Sequence, residues 1–228
     1  ETGATHGRDG RMRWIVRGMW LLALVLVGAT WLVGRGTHAA PREAEGVAAK
    51  VRTGDVVFQT SGSRQSKAIQ VATHSPLSHV GLVEVTPDGT FVVEAVQPVK
   101  RTPFAKWKAR GVKGRLLVMR PQGVDDAAKA RAVEEAKRHL GKPYDALFGC
   151  GDEAMYCSEL VRKAYAAGAG VEYGKMERLG DLDVAGLQRE IAERYRGPVP
   201  VDLELVTPAS LAADARLAVV YSDFPRAP

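Results

Sequence analysis

Twelve residues, "YCSELVRKAYAA" (156–167), set a cysteine immediately ahead of an apolar helical run. Buried cysteine is usually a small hydrophobe. At a helix N-terminus, however, free backbone N–H groups and the helix dipole favour the thiolate. A cysteine nucleophile also needs a base, a group to orient that base, and donors for an oxyanion. Beyond the first forty residues the histidines are His74, His79 and His139. His139 sits late in a charged helical segment, where a cation is ordinary dipole chemistry. His74, in "THSP", has no obvious partner in the sequence. His79 stands at the mouth of the apolar run "HVGLVEV", where a polar ring needs a hydrogen bond.

Glu94 supplies a candidate partner. It lies inside "FVVEAV", and a carboxylate is almost never fully buried unpaired. If the runs of His79 and Glu94 form a hairpin, a two- or four-residue turn around Pro87–Gly89 puts both side chains on one face. A three-residue turn separates them. The competing reading is an ion pair of Glu94 with Lys100 or Arg101. The cysteine has its own alternative, a disulfide with Cys150 seven residues earlier. Metal chemistry finds little support, because there is no H-x-x-x-H or C-x-x-C spacing, and no cofactor or metal is expected.

The elements that must position these residues are legible as runs. "GDVVFQT" (54–60), "HVGLVEV" (79–85), "TFVVEAV" (90–96) and "RLLVMRP" (115–121) read as strands, with "TPDG" turning the middle pair. That pair is apolar on both faces, which predicts a central place in its sheet. "SRQSKAIQVATH" (63–74) reads as a short helix opened by Ser63 or Ser66. "DDAAKARAVEEAKRHLG" (125–141) reads as a helix capped by Asp125 or Asp126, with Ala128, Ala132, Val133, Ala136 and Leu140 on one face. "DLDVAGLQREIAERYRG" (181–197) and "TPASLAAD" (207–214) suggest two more helices, and "RLAVVYS" (216–222) is ambiguous between states. Strands precede the main helices, so the pattern is α+β rather than alternating α/β.

Charge and leader bound the setting. Five arginines against Glu1 and Asp9 give residues 1–40 a net of +3, half of the chain's +6. The remaining 188 residues are too weakly basic for nucleic acid. Arg13 and Arg17 precede an uncharged stretch from Gly18 to Gly34, which is followed by Arg35. This pattern reads as a signal peptide, cleaved near Ala39, or as a retained membrane anchor. The expected organisation is an N-terminal extension over residues 1–40 and one domain over 41–228. The expected location is the periplasm or cell envelope, with anchoring to the inner membrane as an alternative. Residues 1–11, ahead of Met12, are not expected to belong to the fold.

Four ordered segments, "GDVVFQTSGSRQSKAIQVATHSPLSHVGLV", "VVEAVQPVKRTP", "GKPYD" and "YCSELV", resemble the YiiX-like proteins. These are circularly permuted papain-like cysteine hydrolases related to the NlpC-type cell-wall peptidases. The resemblance spans about Gly54 to Pro208, with the histidine strand first and the cysteine helix last. It implies an α+β permuted papain-like core, a central antiparallel sheet packed against helices including the cysteine helix. It implies Cys157 as nucleophile, His79 as base and then acid, and Glu94 as the orienting group. Tyr144 of "GKPYD" is a candidate for lining the substrate site or for packing. The implied substrate is a peptide, peptidoglycan stem peptide or lipid amide, cleaved through an acyl-enzyme. A lipid-directed acyl hydrolase or acyltransferase on the same residues is an alternative, favoured by an apolar groove near Cys157. A non-catalytic envelope binding module is another, favoured by a Cys150–Cys157 disulfide.

Overall fold

The computed structural model describes residues 46–225. The apolar leader lies outside the described residues, and the predicted boundary near residue 40 lies there with it. Among the described residues eight strands are formed: β1 (Val56–Gln59), β2 (His79–Thr86), β3 (Gly89–Glu94), β4 (Lys100–Pro103), β5 (Leu117–Pro121), β6 (Met176–Arg178), β7 (Glu204–Val206) and β8 (Leu217–Ser222). The helices are α1 (Arg64–Thr73), α2 (Phe104–Arg110), α3 (Asp126–Lys137), α4 (Cys157–Ala169), α5 (Gln188–Tyr195) and α6 (Pro208–Ala212). Six strands make one sheet in the order β4-β3-β2-β1-β5-β8, every neighbouring pair antiparallel. Strands β6 and β7 pair separately.

The β2–β3 hairpin is central, as its two apolar faces require. On one face Val56, Phe58, Leu82 and Val93 pack with Leu160, Val161, Ala132 and Val133 of α4 and α3. On the other, Val57, Val83 and Val92 meet Phe104 and Trp107 of α2. Helices α3 and α4 touch through Gly168: a β-carbon there would stand 2.3 Å from the Ala132 nitrogen. The cysteine helix therefore packs on the sheet that carries the histidine.

The caps follow the side chains. Ser63 accepts from the Ser66 N–H at the start of α1, and Asp125 from the Ala128 N–H at the start of α3. Thr207 accepts from the Ser210 N–H ahead of Pro208, opening α6. Two expected helices come out shorter. Helix α3 ends at Lys137, which leaves Leu140 exposed rather than on its apolar face. Of residues 181–197 only Gln188–Tyr195 is α-helical, while Asp181 closes a short 3-10 turn. The Asp183 N–H donates to the Ala72 carbonyl, so this stretch is tied to α1 before the helix begins. The ambiguous "RLAVVYS" forms the edge strand β8.

Candidate active site

Helix α4 begins at Cys157, with Tyr156 extended ahead of it. The Tyr156 N–H donates to Glu159 Oε2 at 3.2 Å, half of a capping box, and Gly170 ends the helix in the left-handed region. Lys163 braces the approach, donating to the carbonyls of Cys150 and Gly151 and pairing with Asp152 and Glu159. Cys157 is thus fixed at the first helical position and buried. Its backbone N–H belongs to the first turn, which has no intrahelical acceptor.

His79 opens β2 and reaches over the sheet's end. Its Nε2 is 2.6 Å from Glu94 Oε2, and its ring stacks on Trp107 with centroids 6.2 Å apart. The Cys157 side chain is close enough to this ring to favour its charged form. With Nε2 committed to Glu94, Nδ1 is the nitrogen left for the thiol. The turn decides the pairing: Thr86 pairs with Gly89, so only Pro87 and Asp88 lie between, and the even spacing puts His79 and Glu94 on one face.

Glu94 is fully buried and accepts four donors. Thr102 Oγ1 meets Oε1 at 2.6 Å, while His79, Trp107 Nε1 (3.1 Å) and Arg110 all meet Oε2. The competing cations go elsewhere: Arg101 pairs with Glu84, and Lys100 is exposed although it lies across the ladder from Glu94. Burial pushes the Glu94 carboxyl up, but His79, Arg110 and Thr102 outweigh it and hold it at about 2. Burial likewise pushes the His79 imidazolium down. The bonds and charges of Cys157 and Glu94 prevail and raise it from 6.5 to about 9. Near neutral pH this is an imidazolium clasped by a carboxylate, beside the Cys157 sulfur.

Tyr144 lies in the stretch that bridges to Met155, with its N–H on Gln97 Oε1 at 2.6 Å. Gln65 Nε2 donates to its hydroxyl at 2.8 Å. Burial, and then the charge of Cys157, push the Tyr144 phenol well above its usual range, so this hydroxyl stands at the site as a neutral O–H. A groove with roughly 760 Å³ between its walls, open solvent at its mouth included, runs from Gln65 and Cys157 along α1. Its walls are largely apolar and include Ile69, Ala72, Leu182, Ile191 and Leu205. The two cysteines are not joined, which overturns the disulfide alternative: Cys150 is exposed, and its sulfur approaches the Glu204 carbonyl at 3.7 Å.

This topology and this pocket can be set beside known proteins. The family described as permuted papain-like amidase enzymes, YaeF/YiiX, C92, matches residues 50–221. The chain is 38% identical over 177 residues to the "Uncharacterized protein YiiX" of Escherichia coli (strain K12), covering 76% of this chain and 88% of that one.

The chain belongs to the permuted papain-like amidase family.

A crystal structure titled "metalloprotein yiiX from Escherichia coli O157:H7" superposes with a TM-score of 0.74 at 38% identity, covering 77% of this chain and 99% of that one. As a permuted papain-like amidase the chain is a cysteine hydrolase, with the mixed α+β architecture of that neighbour. The word metalloprotein is said of the neighbour. Among the described residues here, no three His, Cys, Asp or Glu side chains gather to hold a metal ion. The histidine beside Cys157 already spends Nε2 on Glu94.

Sequence reasoning named Cys157, His79, Glu94 and Tyr144, and the fold brings them together. It missed Gln65, Thr102, Trp107 and Arg110. A signal for two of these existed: in "FAKWKAR", Trp107 and Arg110 are three apart, on one side of a helix turn. His74, which had no evident partner, pairs with Asp183 at 3.2 Å across the far end of α1.

Proposed function

We propose that this chain cleaves amides in which an apolar acyl group is joined to an amine, through an acyl-enzyme on Cys157. The proximity of the buried thiol to an imidazole already fixed by a buried carboxylate carries this reading. The Cys157 thiolate attacks the carbonyl carbon, and the carbonyl oxygen takes up the negative charge. The first-turn N–H of Cys157 and the O–H of Tyr144 face that charge. His79 passes its Nδ1 proton to the leaving nitrogen as the C–N bond breaks, leaving a thioester. Water then attacks, His79 takes its proton, the C–S bond breaks, and the acid departs.

The apolar groove that reaches Cys157 favours a fatty-acyl or similarly apolar group over a charged stem peptide, whose carboxylates and amines would find few partners there. The basic residues ahead of the apolar leader support a cell-envelope setting, where peptidoglycan-linked and lipid-linked amides are both at hand.

A series of N-acyl amides of rising chain length, assayed for released amine, tests the reading. Turnover that rises with chain length and vanishes in Cys157→Ala supports it. Turnover of stem peptides alone overturns the choice of substrate, and turnover retained in Cys157→Ala overturns the mechanism.

A further inference from the structure

Glu94 carries more than the orientation of one imidazole requires. His79 and Arg110 are both cations, and both converge on the same oxygen, Oε2. Trp107 Nε1 reaches that oxygen as well, and Thr102 occupies the other. One negative charge is therefore divided between two positive partners. Arg110 is the last residue of α2, and Gly111 follows it in extended conformation. Gly111 lies so close to the sheet that a β-carbon on it would stand 2.4 Å from Gln59 Oε1, which pins the end of the helix against β1.

We infer that Arg110 is a positioning residue that sets the acid strength of His79 through Glu94. Its guanidinium repels the imidazolium directly and also draws off part of the carboxylate's field. Both effects make the ring surrender its proton more readily. The chemistry needs this, because an imidazolium held too firmly by an unshared carboxylate is a poor acid toward the leaving amine. The other groups facing this cluster are few. Cys157 comes from α4, Tyr144 from the preceding loop, and Thr102 and Trp107 are uncharged. Lys108 of α2 turns away to the Gly114 carbonyl and Asp223, and Arg101 to Glu84. Lys100 is exposed. Arg110 is thus the cation bonded to Glu94 besides His79 itself.

The inference rests on reading His79 as the base, and its test is read without substrate. That keeps a failed substrate screen apart from a failed coupling. The His79 ring is titrated by NMR in the full chain carrying Cys157→Ala, which removes the thiolate's own contribution, with the resonance assigned by His79→Gln. Adding Arg110→Met is expected to raise the ring's pKa by about half to one unit, the scale of a close charge partly screened by solvent. Arg110→Lys restores the starting value. In the active chain, the alkaline limb of kcat/KM moves upward in Arg110→Met and returns in Arg110→Lys. A ring pKa that stays in place or falls in Arg110→Met overturns the inference, as does an equal rise in Arg110→Lys. Should Arg110→Met fail to fold, Arg110→Gln keeps a donor without the charge. A rise there supports the coupling, and no rise overturns it.

Discussion

Gly81 of β2 stands beside Glu94 of β3, just past the Leu82–Val93 rung of their ladder, and its missing side chain leaves room for the Glu94 side chain where it leaves the strand. A β-carbon on Gly81 would stand 3.3 Å from Glu94 Cβ, 2.5 Å from Val92 Cγ1 and 2.8 Å from the Val93 carbonyl oxygen. Two of these neighbours are backbone or β-branched and cannot swing away. Gly81→Ala therefore pushes β3 off β2 where Glu94 must meet His79. The expected loss is about 1–3 kcal/mol of stability, with activity falling further than stability. Thermal melts and amidase assays on the same preparation check it.

The His79–Glu94 clasp predicts a stability profile in pH. Glu94 is held at about 2, below its ordinary 4.5. Its contribution is therefore present above pH 4.5 and is lost as pH falls through about 2. His79 is raised from 6.5 to about 9, so its contribution is full below 6.5 and is lost as pH rises through about 9. The two shifts describe largely one interaction and are not summed. Melting temperatures across pH 2–10 are expected to decline at both ends. Glu94→Gln flattens both declines and moves the alkaline limb of activity downward, because the imidazolium loses its anion.

The groove predicts a substitution that separates chain length from chemistry. Ile69 of α1 lines it. Ile69→Asn is expected to raise KM about tenfold for long-chain N-acyl amides, the scale of losing part of a buried apolar contact. Acetyl amides, which do not extend that far, keep their kinetics. Equal effects on long and short acyl groups contradict the placement of the chain.

Much of this site was legible because its chemistry is concentrated in rare residues. Cys157 precedes an apolar run, His79 opens a strand, and Glu94 sits among valines where a carboxylate needs a reason. The hairpin's parity was not legible, since "TPDG" permits turns of different length until Thr86 and Gly89 are seen to pair. Nor was the true cation on Glu94. Lys100 and Arg101 are nearer in sequence, but Arg101 is drawn away by Glu84 while α2 folds back to deliver Arg110. The segment 181–197 misled for a related reason. Its apolar residues Val184, Leu187 and Ile191 have helical spacing, yet the first two lie ahead of helix α5 and line the groove. Gln65 carried no signal: an ordinary polar residue in a helix becomes notable only when it donates to the Tyr144 hydroxyl.

The most direct test of the central claim is the alkylation rate of Cys157 by iodoacetamide between pH 5 and 9, with the labelled residue located by mass spectrometry. Wild type is compared with His79→Ala and Glu94→Gln, and exposed Cys150 is replaced by serine throughout. A thiolate sustained by the imidazolium predicts rapid labelling of Cys157 below pH 7, slowed in Glu94→Gln and most in His79→Ala. Labelling that begins only near pH 8.5, the ordinary thiol value, and that ignores both substitutions would contradict the account.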